Sequence, residues 1–254
     1  MKKGQRLWAR DELFLAINLY SKLKFGQLSY TNANIIELAN LIGRTPSSVA
    51  FKLVNFASLD PRLKQKGMAN ASRLDKAVWQ EYMNNWADVF FEGEVLLAQK
   101  KDTSVLKLYN INLDDYKHRE GKEVQRLVKV RVNQESFRGV VLTNFNNQCC
   151  ITGINMVELL VASHIVPWSD DKINRLSPKN GLALNTLHDK AFDRHLITVT
   201  EDLKIKISPT FYKHKEIESI KQNFIDYDGR SLIPPKKFYP DLEFLKIHND
   251  LFVG

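Results

Sequence analysis

The sequence predicts an α+β chain: an all-helical, helix-turn-helix-like N-terminal domain followed by a small domain of short strands and helices. Three observations carry this. Apolar residues recur at helical spacing from Leu7 to Trp86. From Cys149 the texture changes to short β-like pieces broken by polar turns. Between the two, residues 98–122 are charged and lack a clean period. The expected organisation is a helical domain over 1–97, a linker over 98–122 and a second domain over 123–254.

Residues 7–24 run Leu7, Trp8, Leu13, Phe14, Ile17, Leu19, Tyr20 and Leu23, with Asp11 and Glu12 near the start, where the helix dipole favours acids. Two helices are expected within 35–56, separated by Gly43-Arg44-Thr45-Pro46, in which Thr45 can cap and Pro46 fits a first turn. Pro61 and Gly67 punctuate 60–72, after which Ala77, Val78, Trp79, Tyr82, Met83 and Trp86 predict another helix. Phe137, Val140, Val141, Leu142 and Phe145 predict a helix over 133–145. Strand-like pieces are Cys150–Thr152, Leu159–Ile165 and Leu196–Ile207, with a helix near 185–194 and a last amphipathic helix ending at Phe252.

No run of about 18 apolar residues is present and no apolar stretch follows the basic start, so a soluble, cytoplasmic protein without a membrane partner is expected. The two cysteines, Cys149 and Cys150, are adjacent and poorly placed to bridge each other, and a four-cysteine zinc site is excluded. The net charge is +8 with a pI near 9.3. Residues 1–145 carry 23 Lys and Arg against 15 Asp and Glu, while the remainder is balanced at 14 against 14. A polyanion would therefore be held mainly by the first half and the junction.

In a helix-turn-helix, two helices cross at a small residue, a Gly with positive φ makes the turn, and an apolar residue locks the second helix. Ala39, Gly43 and Val49 meet these demands. Ser47, Ser48, Lys52 and Asn55 then fall on or near the exposed face of the second helix, available for phosphates or base edges. An ordinary helical hairpin satisfies the same pattern, and the sequence leaves both readings open.

The most informative stretch is residues 149–199, CCITGINMVELLVASHIVPWSDDKINRLSPKNGLALNTLHDKAFDRHLITV. Ser163-His164-Ile165 closes a strand-like run, Asn180-Gly181-Leu182 follows in a loop, and Leu187-His188 with Phe192-Asp193 falls on a helix. This resembles the HNH nuclease family, whose ββα-metal motif cleaves DNA backbones. The 24 residues from His164 to His188 (188 − 164) leave room for a turn, a return strand and a helix start.

The resemblance implies that His164 is the general base, that Asn180 ties the loop holding that base, and that His188 is a metal ligand. Ser163 stands where many relatives have an acidic residue or a second His, and Phe192 stands one turn after His188, where many have a further His. Asp193 is therefore expected as the second ligand, with Asp189 less suited because its side chain is expected to leave the helix in another direction. A divalent metal is implied, Mg²⁺ first, with Mn²⁺, Ni²⁺ or Zn²⁺ also compatible. His118, His195, His214 and His248 show no comparable partners and read as surface or packing residues.

Lys172, Arg175 and Lys179 in the loop, and Lys190 and Arg194 on the helix, are candidate phosphate contacts. The segment 131–145, RVNQESFRGVVLTNF, resembles the helix before the nuclease core of bacterial restriction-type HNH proteins, with Arg131, Gln134 and Arg138 as backbone contacts. The tail SLIPPKKFYPDLEFLKIHNDLF resembles their C-terminal segment. The stretch GRTPSSVAFKLVNFASLDP resembles the front domain of restriction endonucleases, including some that require modified bases. The implied protein is a double-stranded DNA restriction endonuclease in phage defence, a homodimer if both strands are to be cut. The rival readings are a DNA-binding regulator with an inactive HNH core and a nonspecific or homing HNH nuclease.

Overall fold

The computed structural model describes residues 6–60, 63, 70–116, 118, 121–171 and 173–254. The chain is α+β and divides into two compact units, Met1–Ser136 and Phe137–Gly254.

In the first unit, α1 (Arg10–Lys22) begins where the Glu12 carboxylate accepts the Ala9 N–H at 2.9 Å. Asn32 caps α2 (Ala33–Leu41), and Gly43, at φ +63°, turns the chain toward α3 (Pro46–Leu59). Thr45 caps that helix, and Pro46 sits in its first turn, where a missing N–H costs nothing. Ser72 caps α4 (Arg73–Asn84). Tyr20, Phe56 and Trp79, from α1, α3 and α4, meet as one aromatic cluster in the core.

Beyond Asn85 the chain forms α5 (Trp86–Lys100), a helix that the sequence reading does not include. Gly93 interrupts its apolar pattern because Asn18 of α1 lies against it: a Cβ there would stand 2.4 Å from the Asn18 amide nitrogen. Residues 98–122 contain the end of α5, then α6 (Val105–Leu108) and a 3₁₀ turn at Leu113–Tyr116. α7 (Lys122–Asn144) follows and runs across the division between the units.

In the second unit, β1 (Leu160–His164) pairs antiparallel with β2 (Gly181–Asn185), in a register that sets His164 opposite Gly181. Asn185 caps α8 (Thr186–Asp193), so the order is strand, strand, helix. A second hairpin pairs β3 (Ile197–Val199) with β4 (Ile205–Ile207). Then come α9 (Pro209–Tyr212), α10 (Glu218–Asn223) and α11 (Leu242–Asp250). Cys150–Thr152, expected as a strand, is a turn, closed by Gly153 N–H to the Cys149 carbonyl at 2.8 Å. Asn180 closes a 3₁₀ turn, and Gly181 and Leu182, expected in the loop, already belong to β2. Among the described residues no helix is long and apolar enough to cross a membrane.

Candidate active site

β1, the chain just after it and α8 border a cleft of about 480 Å³, lined by Ser163 and His164 from the end of β1 and by Asp189 and Asp193 from α8. The His164 ring stacks on Phe137, with centroids 4.4 Å apart and planes at 14°, and meets the edge of Trp168. Its Nε2 lies 2.7 Å from the Arg175 carbonyl oxygen. A carbonyl only accepts, so Nε2 donates its hydrogen there and the lone pair of the neutral ring is on Nδ1. Burial holds the His164 pKa below 6.5, against the opposing pull of the Arg175 carbonyl and Asp189.

Asn180 is fully buried in the turn that opens β2. Its Oδ1 accepts the Val166 N–H at 2.8 Å and its Nδ2 donates to the Val166 carbonyl at 3.1 Å, while its own carbonyl accepts the Ile165 N–H at 3.0 Å. These three bonds tie the chain just after His164 to the start of the return strand.

α8 has two faces. Successive residues turn about 100° around a helix, so His188 and Phe192 share one side and Asp189 and Asp193 the next. Phe192 is 1% exposed and so is His188. The His188 Nε2 donates to the Asn223 carbonyl at 2.6 Å, and its Nδ1 lies 3.1 Å from the Asn185 amide nitrogen. The ring edges meet Phe224 and Tyr227, and the Cys149 sulfur lies 3.9 Å away. Burial raises the Cys149 pKa, but bonds from His188, Thr152 and the backbone outweigh it and bring the thiol to about 7.

The structure therefore does not bring His164 and His188 to one cavity. The expected pairing of a base at 164 with a metal ligand at 188 is corrected: both ring nitrogens of His188 are engaged in the interior. Asp189, expected to point elsewhere, lines the cleft with Asp193. Burial and the neighbouring Asp193 raise the Asp189 pKa above its usual value, opposed by Ser163, Lys190 and His164. The Ser163 hydroxyl is buried without a hydrogen bond of ordinary geometry, yet close enough to Asp189 to oppose that rise.

Residues 149–200 match the HNH endonuclease family. An HNH endonuclease domain occupies this segment. Such a domain is a phosphodiester hydrolase acting on DNA, and HNH nucleases generally use a divalent metal. No curated protein matches the chain.

The HNH domain's cleft also contains two imidazoles that sequence reasoning set aside. His195 follows α8 at φ +53° and places Nδ1 3.3 Å from Nε2 of His248 on α11. His248 stacks on Phe192 with centroids 3.7 Å apart and accepts or donates at 2.8 Å with the Thr198 hydroxyl. Burial brings its pKa down to about 4, with His195 adding to the fall and the Phe192 carbonyl opposing it. A separation of 53 positions between these two histidines leaves no local pattern to find.

Among the described residues, no three His, Cys, Asp or Glu side chains come close enough to share one ion. The donor set that faces His164 is the carboxylate pair Asp189 and Asp193, which suits a hard, water-retaining cation such as Mg²⁺ or Mn²⁺ better than Zn²⁺.

The expected DNA contacts fare unevenly. Arg175 lies over the Trp168 ring at 4.4 Å, beside the cleft, while Lys190 and Arg194 are exposed and Lys179 is half-buried. Lys172 lies outside the described residues. Arg138 is turned inward, donating to the Leu160 and Val157 carbonyls at 2.6 and 3.1 Å, which anchors α7 to β1 and withdraws it from phosphate. Arg131 is exposed and paired with Glu135 at 3.0 Å, and Gln134 is exposed. On α3, Ser47 is exposed, Ser48 is half-buried, and Asn55 reaches the Asn70 carbonyl at 3.5 Å. Lys52, expected on the exposed face, is instead buried and bonded to both Asp75 oxygens at 2.8 Å, because it sits on the side of α3 that packs on α4.

Proposed function

We propose that the chain is a metal-dependent endonuclease of the restriction type, with His164 as general base on the cleft of its HNH domain. The observation that carries this is the Arg175 carbonyl on Nε2, which leaves Nδ1 as the basic nitrogen of a ring lining the same cleft as Asp189 and Asp193. His164 Nδ1 removes a proton from a water as its oxygen attacks phosphorus and the bridging P–O bond breaks. Phe137 and the Arg175 carbonyl hold the ring against rotation, and Asn180 holds the chain that follows it. Asp189 and Asp193 would hold the divalent cation. When bound, it would neutralise charge building on the phosphate. Arg175, stacked on Trp168, and exposed Lys190 and Arg194 offer positive charge to neighbouring phosphates.

The helical first unit would locate the site on duplex DNA, with α2 and α3 acting as a helix-turn-helix, and modified bases are its proposed target. Two protomers would supply the two cuts of a double-strand break.

Supercoiled plasmid incubated with the protein in Mg²⁺ or Mn²⁺ should be nicked or linearised, and EDTA should stop it. Asp193→Asn should raise the Mg²⁺ concentration for half-maximal cutting about tenfold or more. An intact plasmid under every metal would favour the regulator reading. Unchanged metal dependence in the variant would remove Asp193 from the metal site. Matched methylated and unmethylated plasmids test the requirement for modification.

A further inference from the structure

The first unit holds a second cleft, of about 960 Å³, built by three stretches far apart in sequence. They are the segment before α1, the α2–α3 turn with the first turns of α3, and the start of α4. We propose that this cleft binds a phosphate group of a DNA strand.

Arg6, Arg44, Lys52 and Arg73 line it. The carboxylates bonded to these cations are Glu12, shared by Arg6 and Arg44, and Asp75, held by Lys52. Four positive charges against two negative leave a surplus of two. Arg44 and Lys52 form the buried floor, at 4.1 and 5.1 Å from the Trp8 ring centroid. Each is held by a buried carboxylate, so the floor is close to neutral and the surplus positive charge lies at the rim.

The rim holds the cations able to meet a ligand. Arg6 is 61% exposed, and Arg73 is exposed and forms no ion pair among the described residues. Ser48 and Ser72 also line the cleft and add hydroxyl donors, while exposed Leu7 and Leu74 give an apolar edge that suits a sugar. The amino-terminal ends of α3 and α4 open on the same space and add positive partial charge. A volume within the usual range of small-ligand sites accommodates a nucleotide unit. The cleft also lies in the half of the sequence that holds the whole charge surplus.

The proposal rests on DNA being the substrate but not on which residues cut it, so binding measured in EDTA fails separately from cleavage. Fluorescence anisotropy of a labelled duplex, across a salt series with the full chain, reads it. Arg73→Glu places an acid in the first turn of α4, where the helix accepts one, so the fold should persist by circular dichroism. The variant should weaken duplex binding about fivefold or more and lower the salt slope by about one. Lys100→Glu, an exposed charge reversal on α5, should change affinity less than about twofold. Equal weakening by both variants, or by neither, overturns the proposal. So does a wild-type chain that binds adenosine monophosphate through Arg73 while duplex binding ignores that residue, since the phosphate would then belong to a free nucleotide.

Discussion

His164 combines three constraints that act on one ring. The carbonyl of Arg175 fixes the tautomer, Phe137 fixes the plane, and burial keeps the ring neutral at lower pH than a free imidazole. The sign of the pH dependence follows. The active form is unprotonated, so cutting should be fully developed above 6.5 and fall, as protons are added, through a midpoint below 6.5. Initial rates of plasmid nicking under saturating metal give this limb; a midpoint above 6.5 would mean that the ring is not the titrating base. The resemblance of "SHI" and "NGL" to known nuclease segments made His164 and Asn180 legible without coordinates. His188 shares the apolar side of its helix with Ala191 and Phe192, a pattern present in the sequence that favours packing over metal ligation.

Between elements, the joint that bears on the site is the close approach of α7 to the start of β2. A Cβ on Gly181 would stand 2.5 Å from a Val141 methyl carbon and 2.9 Å from the Phe137 ring. Gly181 also faces His164 across the hairpin, and Phe137 carries the His164 ring. Gly181→Ala should therefore destabilise the protein by about 1–3 kcal/mol and slow cutting together, as crowding shifts the ring that must be aligned. Thermal unfolding and nicking rates check it; a stable variant with full activity would show that the joint yields at no cost. β1 and α8 were legible from a β-like run and a helical pattern, whereas β2 was expected only as a return strand that the 24-residue interval leaves room for, and its first residues were expected as loop. α5 was not legible, because Gly93 and a single-residue break at Asn85 hide its start and period, and Gly93 is explained only by the packing of Asn18.

For the molecule taken whole, stability depends on acid in a definite direction. His248 titrates near 4 in the fold and near 6.5 when free, so the unfolded chain takes the proton first as pH falls. Its stabilising contribution is complete above 6.5 and is lost toward 4, a drop on the order of 3 kcal/mol. Urea midpoints between these limits should fall in the wild type and fall less in His248→Gln. Equal falls would place the acid sensitivity elsewhere. The division of charge, with its surplus before residue 145, was visible in the sequence, but the cleft that gathers part of it was not, since residues 6–8, 43–52 and 72–74 meet only in the fold.

The most direct trial of the catalytic assignment is His164→Ala on supercoiled plasmid in Mg²⁺ or Mn²⁺, with and without added imidazole. The expected result is a loss of cutting of about a hundredfold or more, with partial recovery when imidazole replaces the missing ring and with folding unchanged. Cutting by the alanine variant at the wild-type rate would contradict it.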